Sequence, residues 1–249
     1  MNGYRKLCTE FYDIDKPAAP QDALDFYACY AAESPGPILE PMCGTGRFLV
    51  PLLERGFEVD GMDASPQMLA ACREKCAARG LKSTLREQWL HQLEMPRQYG
   101  LVFIASGSFS LVSNLDHVRH ALRRVHDHML SGAKFVFEII QRRSNESSSW
   151  PWGGRWIQRP DGARIILSWL GRYDAAEHLQ HDIHRYELVK DGQLLATEIE
   201  APELRHYDLT EIRQLLETGG FVQIRALKTY LQRPPDDSDD EIVIECTRS

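Results

Sequence analysis

Two acids and a glycine turn sit close together near the start of the chain. The stretch ILEPMCGTG, Ile38 to Gly46, brings an apolar run to an acid, Glu40, and then turns sharply on Gly44, Thr45 and Gly46. The next apolar run, FEVDGMD, ends on a second acid, Asp63. A glycine turn between a strand and a helix gathers backbone N–H groups and a helix N-terminus over one spot. Glycine also lets a ligand lie close to the main chain. The chemistry these residues suit is the holding of a polar organic ligand. Metal chemistry finds no support. No CxxC occurs among the six cysteines, and Cys72 and Cys76 read as small buried helix residues. His117 and His120 share an exposed helix face. His178, His181 and His184 are spaced by three, which alternates faces on a strand.

Three ligand classes use such a loop. A mononucleotide P-loop needs a lysine after its last glycine, and Arg47 stands there. A dinucleotide fingerprint needs a third glycine, but Arg47, Phe48 and Leu49 follow Gly46; this weakens a nicotinamide or flavin reading without removing it. The third class is S-adenosylmethionine, with a ribose diol, an adenine and a zwitterionic amino-acid end. Glu40 suits its ammonium and Asp63 both ribose hydroxyls. Each acid also has an ordinary reading, Glu40 as a solvated strand end and Asp63 as a helix N-terminal acid. Met42 occupies a position that is often glycine, and a negative φ is expected there.

The elements that must position these residues alternate. PQDALDFYACYAA is helical, PILE is a strand, and GRFLVPLLERG is a helix in which Pro51 must sit in the first turn or make a kink. SPQMLAACREKCAARG is a helix with Ser65 as N-cap and Pro66 at its first position. STLRE, LVFIAS and KFVFEII read as strands, the last two buried on both faces. NLDHVRHALRRVHDHML is a further helix. This order predicts an α/β fold with a doubly wound, Rossmann-like, mostly parallel sheet. After Ile140 the texture becomes polar, then aromatic: QRRSNESSSWPWGG, with the Arg142-Arg143 pair read as solvated loop. RWIQ, ARIILSWLGRY, LQHDIHRYELV and LLATEIEAPELRHY then read as antiparallel strands, with RPDG and KDGQ as hairpin turns. DLTEIRQLLETGG is a helix capped by Asp208 or Thr210. FVQIRALKTYL and EIVIECT form a closing hairpin, and the acidic QRPPDDSDD between them reads as a solvated loop. The expected organisation is a cap and ligand-binding core over 1–140, an antiparallel β insertion over 141–206, and a helix with hairpin over 207–249 completing the core sheet.

The run ILEPMCGTGRFLVPLLERGFEVDGMDASPQML resembles motif I and the acidic motif that follows it in class I S-adenosylmethionine-dependent methyltransferases. Glu40, Cys43 to Gly46, Asp63, Ser65-Pro66 and Met68-Leu69 carry the likeness, which extends over about Ile38 to Ile140 and returns at the closing helix and hairpin. It implies a seven-stranded sheet with a reversed last strand. It also implies a cofactor site of Tyr12, Glu40, Met42, Gly44, Gly46, Asp63, Ala64, Met68, Gln88, Trp89, Leu90, Ala105 and Ser106. Trp89 would stack on the adenine or serve as core, Met68 would lie on the purine's other face, and Tyr12 would close over the cofactor.

Methyl transfer from a sulfonium needs alignment and exclusion of water. It needs a base only where the acceptor carries a proton that must leave. His206, Tyr207 and Glu138 are the candidates. No DPPY or NPPY follows the fourth strand, and ASGSFSLV holds that place. With a net charge of −7 and no basic tract, nucleic acid is an unexpected partner. The implied activity is methylation of N or O on a small molecule, with Phe109, Trp152 and Trp156 (beside Trp150) lining the substrate pocket; the tryptophans have the alternative of packing the insertion onto the sheet or onto a partner in a homodimer. The alternatives are a non-catalytic module that binds S-adenosylmethionine or S-adenosylhomocysteine, and an RNA or protein methyltransferase. The first residues contain no apolar signal segment, no run spans a bilayer, and the scattered cysteines suit a cytoplasmic location.

Overall fold

Apolar runs too short for helices make the centre of the molecule. In the computed structural model, which describes residues 3–141, 146–236 and 238–249, they form parallel strands β1 (Ile38–Pro41), β2 (Val59–Asp63), β3 (Leu85–Glu87), β4 (Tyr99–Ile104) and β5 (Met129–Gln141). The expected loop at Arg142-Arg143 lies outside the described residues. Helices α1 (Lys6–Asp15), α2 (Gln21–Glu33), α3 (Leu49–Glu54), α4 (Pro66–Ala78), α5 (Leu115–Asp127) and α6 (Leu209–Thr218) surround them. The insertion holds β6 (Ser148–Gln158), β7 (Arg164–Asp174), β8 (Leu179–Lys190), β9 (Gln193–Glu200) and β10 (Glu203–Tyr207). β11 (Phe221–Lys228) and β12 (Glu241–Arg248) close the chain. The core order is β3-β2-β1-β4-β5-β12-β11, with β12 antiparallel to both neighbours. This is the Rossmann-like sheet with a reversed last strand.

Local chemistry sets the helix starts that matter for the site. Ser65 Oγ accepts from Met68 N at 3.1 Å, and Pro66 opens α4, where a missing N–H is harmless. Asp208, not Thr210, caps α6, accepting from Glu211 N at 2.7 Å. One face of the sheet buries Phe135, Phe137, Tyr207 and Phe221 with residues of α5 and α6. The other buries Phe103 with Tyr27, Phe48 and Leu49 and residues of α4.

The insertion differs in detail from its sequence reading. β6 begins at Ser148, so the aromatic WPWGG segment is itself strand, bulged between Trp150 and Gly153. The last long apolar stretch divides into β9 and β10 at Ala201-Pro202, because proline has no N–H for the ladder. β10 pairs with β8 and also, in parallel, with the end of β5, so the insertion continues the core sheet. The expected boundary at 206 therefore falls inside β10. Helix α1 fastens the insertion's inner face: Leu7, Cys8 and Phe11 pack on Ile165, Leu167 and Tyr186. Burial of each such side chain contributes about 1.5–3 kcal/mol. Arg155 reaches back to Asp15 at 2.8 Å. The acidic loop is less free than expected, since Asp236 and Asp239 both hold Lys228 Nζ, at 2.9 and 2.7 Å.

Candidate functional site

β1 delivers Glu40 to the C-terminal edge of the sheet, and the chain must reverse at once to start α3. It does so through three left-handed residues: Met42 at φ +59°, Gly44 at +55° and Gly46 at +80°. The expectation of a negative φ at Met42 is thus overturned. The side chain packs against the core cluster beneath the sheet, and this packing offsets a conformation that costs a non-glycine residue about 1–2 kcal/mol. The two glycines serve different ends. A Cβ on Gly44 would meet only Met68 Sδ at 3.9 Å, so its outer side is open. A Cβ on Gly46 would lie 2.7 Å from Cys72 Sγ and 3.0 Å from Val50, so Gly46 permits close packing on α4.

Asp63 ties the turn to β2. Its Oδ2 accepts from Gly44 N at 2.9 Å and its Oδ1 from Ser65 N at 2.8 Å. Burial pushes its carboxyl up despite these donors. Glu40 is 3% exposed, and its Oε2 has no partner. Burial raises its carboxyl far above the ordinary carboxylate range. Thr45 Oγ1 and Arg47 Nε are also buried without partners. Arg47 Nη2 donates to Ser106 Oγ, and the guanidinium lies 5.5 Å from the Tyr12 ring. An acid, a hydroxyl and a guanidinium, each with unmet hydrogen-bonding capacity around an open glycine turn, fit a ligand with a zwitterionic end. Sequence reasoning missed Arg47, although a cation directly after Gly46 was the available signal.

The remaining sequence-predicted residues flank this cradle unevenly. Met68 is buried with its sulfur toward Gly44. Ala64 follows Asp63 and donates its backbone N–H to it. Ala105 is buried, and Ser106, directly before Gly107, adopts φ +60°, a left-handed non-glycine conformation of the kind that collects at functional sites. Gln88 N holds Asp63 O at 2.9 Å. The Gln88 side chain, however, is spent on Glu94, accepting from N at 2.8 Å and donating to O at 3.0 Å. Leu90 sinks into the core, while Trp89 stays 39% exposed.

Several expectations for the acceptor side fail. Glu138 is a pin beneath the site: it accepts from Tyr27 OH at 2.6 Å, Tyr230 OH at 3.2 Å and Gly107 N at 3.1 Å. Tyr207 and Phe109 are fully buried, packed with Phe137 under the sheet, so neither lines a pocket. Trp152 and Trp156 stand 50% and 55% exposed on the insertion's outer face, against Arg185 and Arg164. Strand alternation explains this: Arg155, next to Trp156, faces α1. His206 does reach the site. It pairs with Ile140 beyond the point where β4 ends, and Glu241 flanks Ile140 from the other side. The inner face adds Trp150, which the sequence reading grouped with the pocket tryptophans, and Gly171, Tyr173, Gln180 and Asp182, which it missed because cross-strand pairing brings them together. Among the described residues no group of three or more His, Cys, Asp or Glu could hold a metal ion. None of their helices is long and apolar enough to cross a membrane.

Residues 38–132 match the family model of a methyltransferase domain. A protein of Geobacillus sp. (strain WCH70) assigned as a methyltransferase is 22% identical over 93% of this chain and 94% of its own. Among solved structures, an S-adenosylmethionine-dependent methyltransferase from Clostridium acetobutylicum superposes with a TM-score of 0.77 at 19% identity, covering 96% and 97% of the two chains. CalS10 of Micromonospora echinaspora, an amino pentose methyltransferase solved with S-adenosylmethionine bound, gives 0.69 at 15%, covering 100% and 99%. The chain thus carries a methyltransferase domain over residues 38–132 and has the fold of S-adenosylmethionine-dependent methyltransferases.

Proposed function

We propose that this enzyme uses S-adenosylmethionine to methylate a nitrogen of a small molecule held between the end of the core sheet and the inner face of strands β6 to β10. The observation that carries this reading is the junction at β10. There the insertion extends the core sheet and sets His206, Gln180, Asp182 and Trp150 beyond the end of β4. The likeness to KedS8 of Streptoalloteichus, a sugar N-methyltransferase, supports nitrogen over oxygen. The net charge of −7 gives a polyanion no electrostatic welcome.

In this reading Glu40 takes the cofactor's ammonium, Arg47 its carboxylate end, and Asp63 the ribose hydroxyls. Gly44 leaves room for the ligand against the backbone, and Met68, Ala64, Trp89 and Tyr12 border the rest. Bound S-adenosylmethionine supplies an activated methyl on a good leaving group. The protein's share is to orient the acceptor and exclude water, a contribution of up to about 7–11 kcal/mol. Residues 1–140 with 207–249 form the cofactor-binding part and 141–206 the lid. The test is incubation with methyl-labelled cofactor and a metabolite extract. A labelled low-mass amine is expected; label confined to RNA or protein would refute the acceptor class.

A further inference from the structure

The inner face of the insertion holds a hydrogen-bonded chain whose direction is fixed. Gln180 Nε2 donates to Asp182 Oδ2 at 2.7 Å. An ionised carboxylate only accepts, so with Asp182 ionised the amide presents its NH2 to Asp182 and its oxygen, Oε1, to the other side. There His206 Nε2 lies 3.1 Å from Oε1. An amide oxygen also only accepts, so His206 Nε2 carries the proton. In the neutral imidazole Nδ1 is then the atom with the free lone pair.

The chain is built into its surroundings. Asp182 is 8% exposed, and its second oxygen, Oδ1, is buried without a hydrogen-bond partner. Any side chain on Gly171 would collide with that oxygen and with the Trp150 ring, so the glycine makes room for the carboxylate. His184 stands 3.8 Å from Oδ2. A carboxylate this enclosed and this poorly satisfied detracts from stability, which speaks for a role beyond holding the fold. The His206 ring stacks on Tyr173 at 4.8 Å, which limits its rotation.

Resting on the reading of a small-molecule amine acceptor, we propose that His206 is the base of the reaction and that Gln180 and Asp182 are positioning residues that lock it as the Nε2–H tautomer. An amine reaches the site as an ammonium, which has no lone pair. One proton passes from the ammonium nitrogen to His206 Nδ1. The freed lone pair forms the new N–C bond as the S–C bond of the sulfonium breaks, with those electrons remaining on sulfur. The methylated ammonium leaves, and the imidazolium returns its proton to water. The groups facing His206 are Tyr173 from β7 and Gln180 from β8, with Asp182 behind Gln180 and Glu241 across Ile140. Burial pulls the imidazole below its ordinary value, which favours the neutral form.

The test uses the full chain with 15N-labelled histidine, and His206→Gln identifies the resonance. The expected spectrum shows Nε2 protonated and Nδ1 bare. Gln180→Leu should turn this into a mixture, and Asp182→Asn, whose amide oxygen can still accept from Gln180 Nε2, should keep it. An Nδ1–H tautomer in the wild type, or a spectrum unmoved by Gln180→Leu, overturns the lock. The kinetic arm uses the labelled amine from the extract. His206→Asn should lower kcat about 10²- to 10⁴-fold with calorimetric cofactor affinity unchanged. In the wild type, kcat should rise with pH along a limb lying below the ordinary histidine value. Wild-type kcat in His206→Asn overturns the base. Absence of labelled product with the lock intact counts against the acceptor class; a broken lock counts against this inference whatever the extract yields.

Discussion

Replacing Glu40 by glutamine separates binding from stability, because the structure moves the two in opposite directions. The backbone N–H of Leu49 donates to the carboxylate, and the introduced glutamine can still accept that bond through its amide oxygen. What changes is the Oε2 position, which is buried without a partner and would become an amide donor facing the cofactor's ammonium. A hydrogen bond to a charged group contributes about 1.5–3 kcal/mol, so Kd for S-adenosylmethionine should rise about 10- to 150-fold. Burial holds the Glu40 carboxyl well above its unfolded value. The native state therefore binds the proton more tightly than the unfolded chain does. The resulting stability is full below the unfolded carboxylate pKa and is lost as pH climbs toward the folded one. Glutamine does not ionise, so Glu40→Gln should melt higher than wild type near neutral pH. An arriving ammonium also draws the carboxyl into its ionised form. Wild-type binding should thus release a proton and tighten as pH rises, and the variant should do neither. Calorimetry in buffers of different ionisation enthalpy reads affinity and proton count together. Affinity within about twofold of wild type, with unchanged proton release, would refute the assignment of Glu40 to the ammonium.

Asp63→Ala strips the acceptors from Gly44 N and Ser65 N, so it should lower stability by about 2–6 kcal/mol as well as weakening cofactor binding; urea denaturation reads the first effect, and a change under about 1 kcal/mol would contradict it. Met42→Gly relieves a left-handed residue and loses its packing, so stability should shift by no more than about 1–2 kcal/mol with affinity preserved; a tenfold loss of affinity would give the side chain a part in binding. Tyr27→Phe removes a donor to buried Glu138 and should destabilise by about 1–3 kcal/mol, more so as pH rises, because the Glu138 carboxyl is already raised by burial and would go higher. Loss of turnover in that variant without loss of stability would return Glu138 to the reaction.

The parts of the site legible in the sequence were those carried by neighbours along the chain. The glycine turn, the strand-end acids Glu40 and Asp63, and the Ser65-Pro66 start of α4 each depend on contacts within a few residues or between adjacent parallel strands. The fold class followed for the same reason, from the alternation of short apolar runs with capped helices. What was hidden depends on pairing between distant segments. Glu138 reads like an active-site acid until α2 and the loop after β11 bring Tyr27 and Tyr230 to it. Trp152 and Trp156 read as pocket or packing residues, but the bulge in β6 fixes which side of the strand each faces. Gln180, Asp182 and His206 become one chain only when β10 joins β8 to β5. Met42 shows the limit of local reading: the side chain's packing on the core determines what the backbone must accept.

The central claim is that the cradle of Glu40, Gly44 and Asp63 is made for S-adenosylmethionine. The most direct measurement is a calorimetric titration of the wild-type protein and of Glu40→Gln with S-adenosylmethionine and with NAD. The account predicts one site per chain for S-adenosylmethionine, weakened at least about tenfold in the variant, and no heat with NAD. Binding of NAD in preference to S-adenosylmethionine, or equal S-adenosylmethionine affinity in the two proteins, would contradict it.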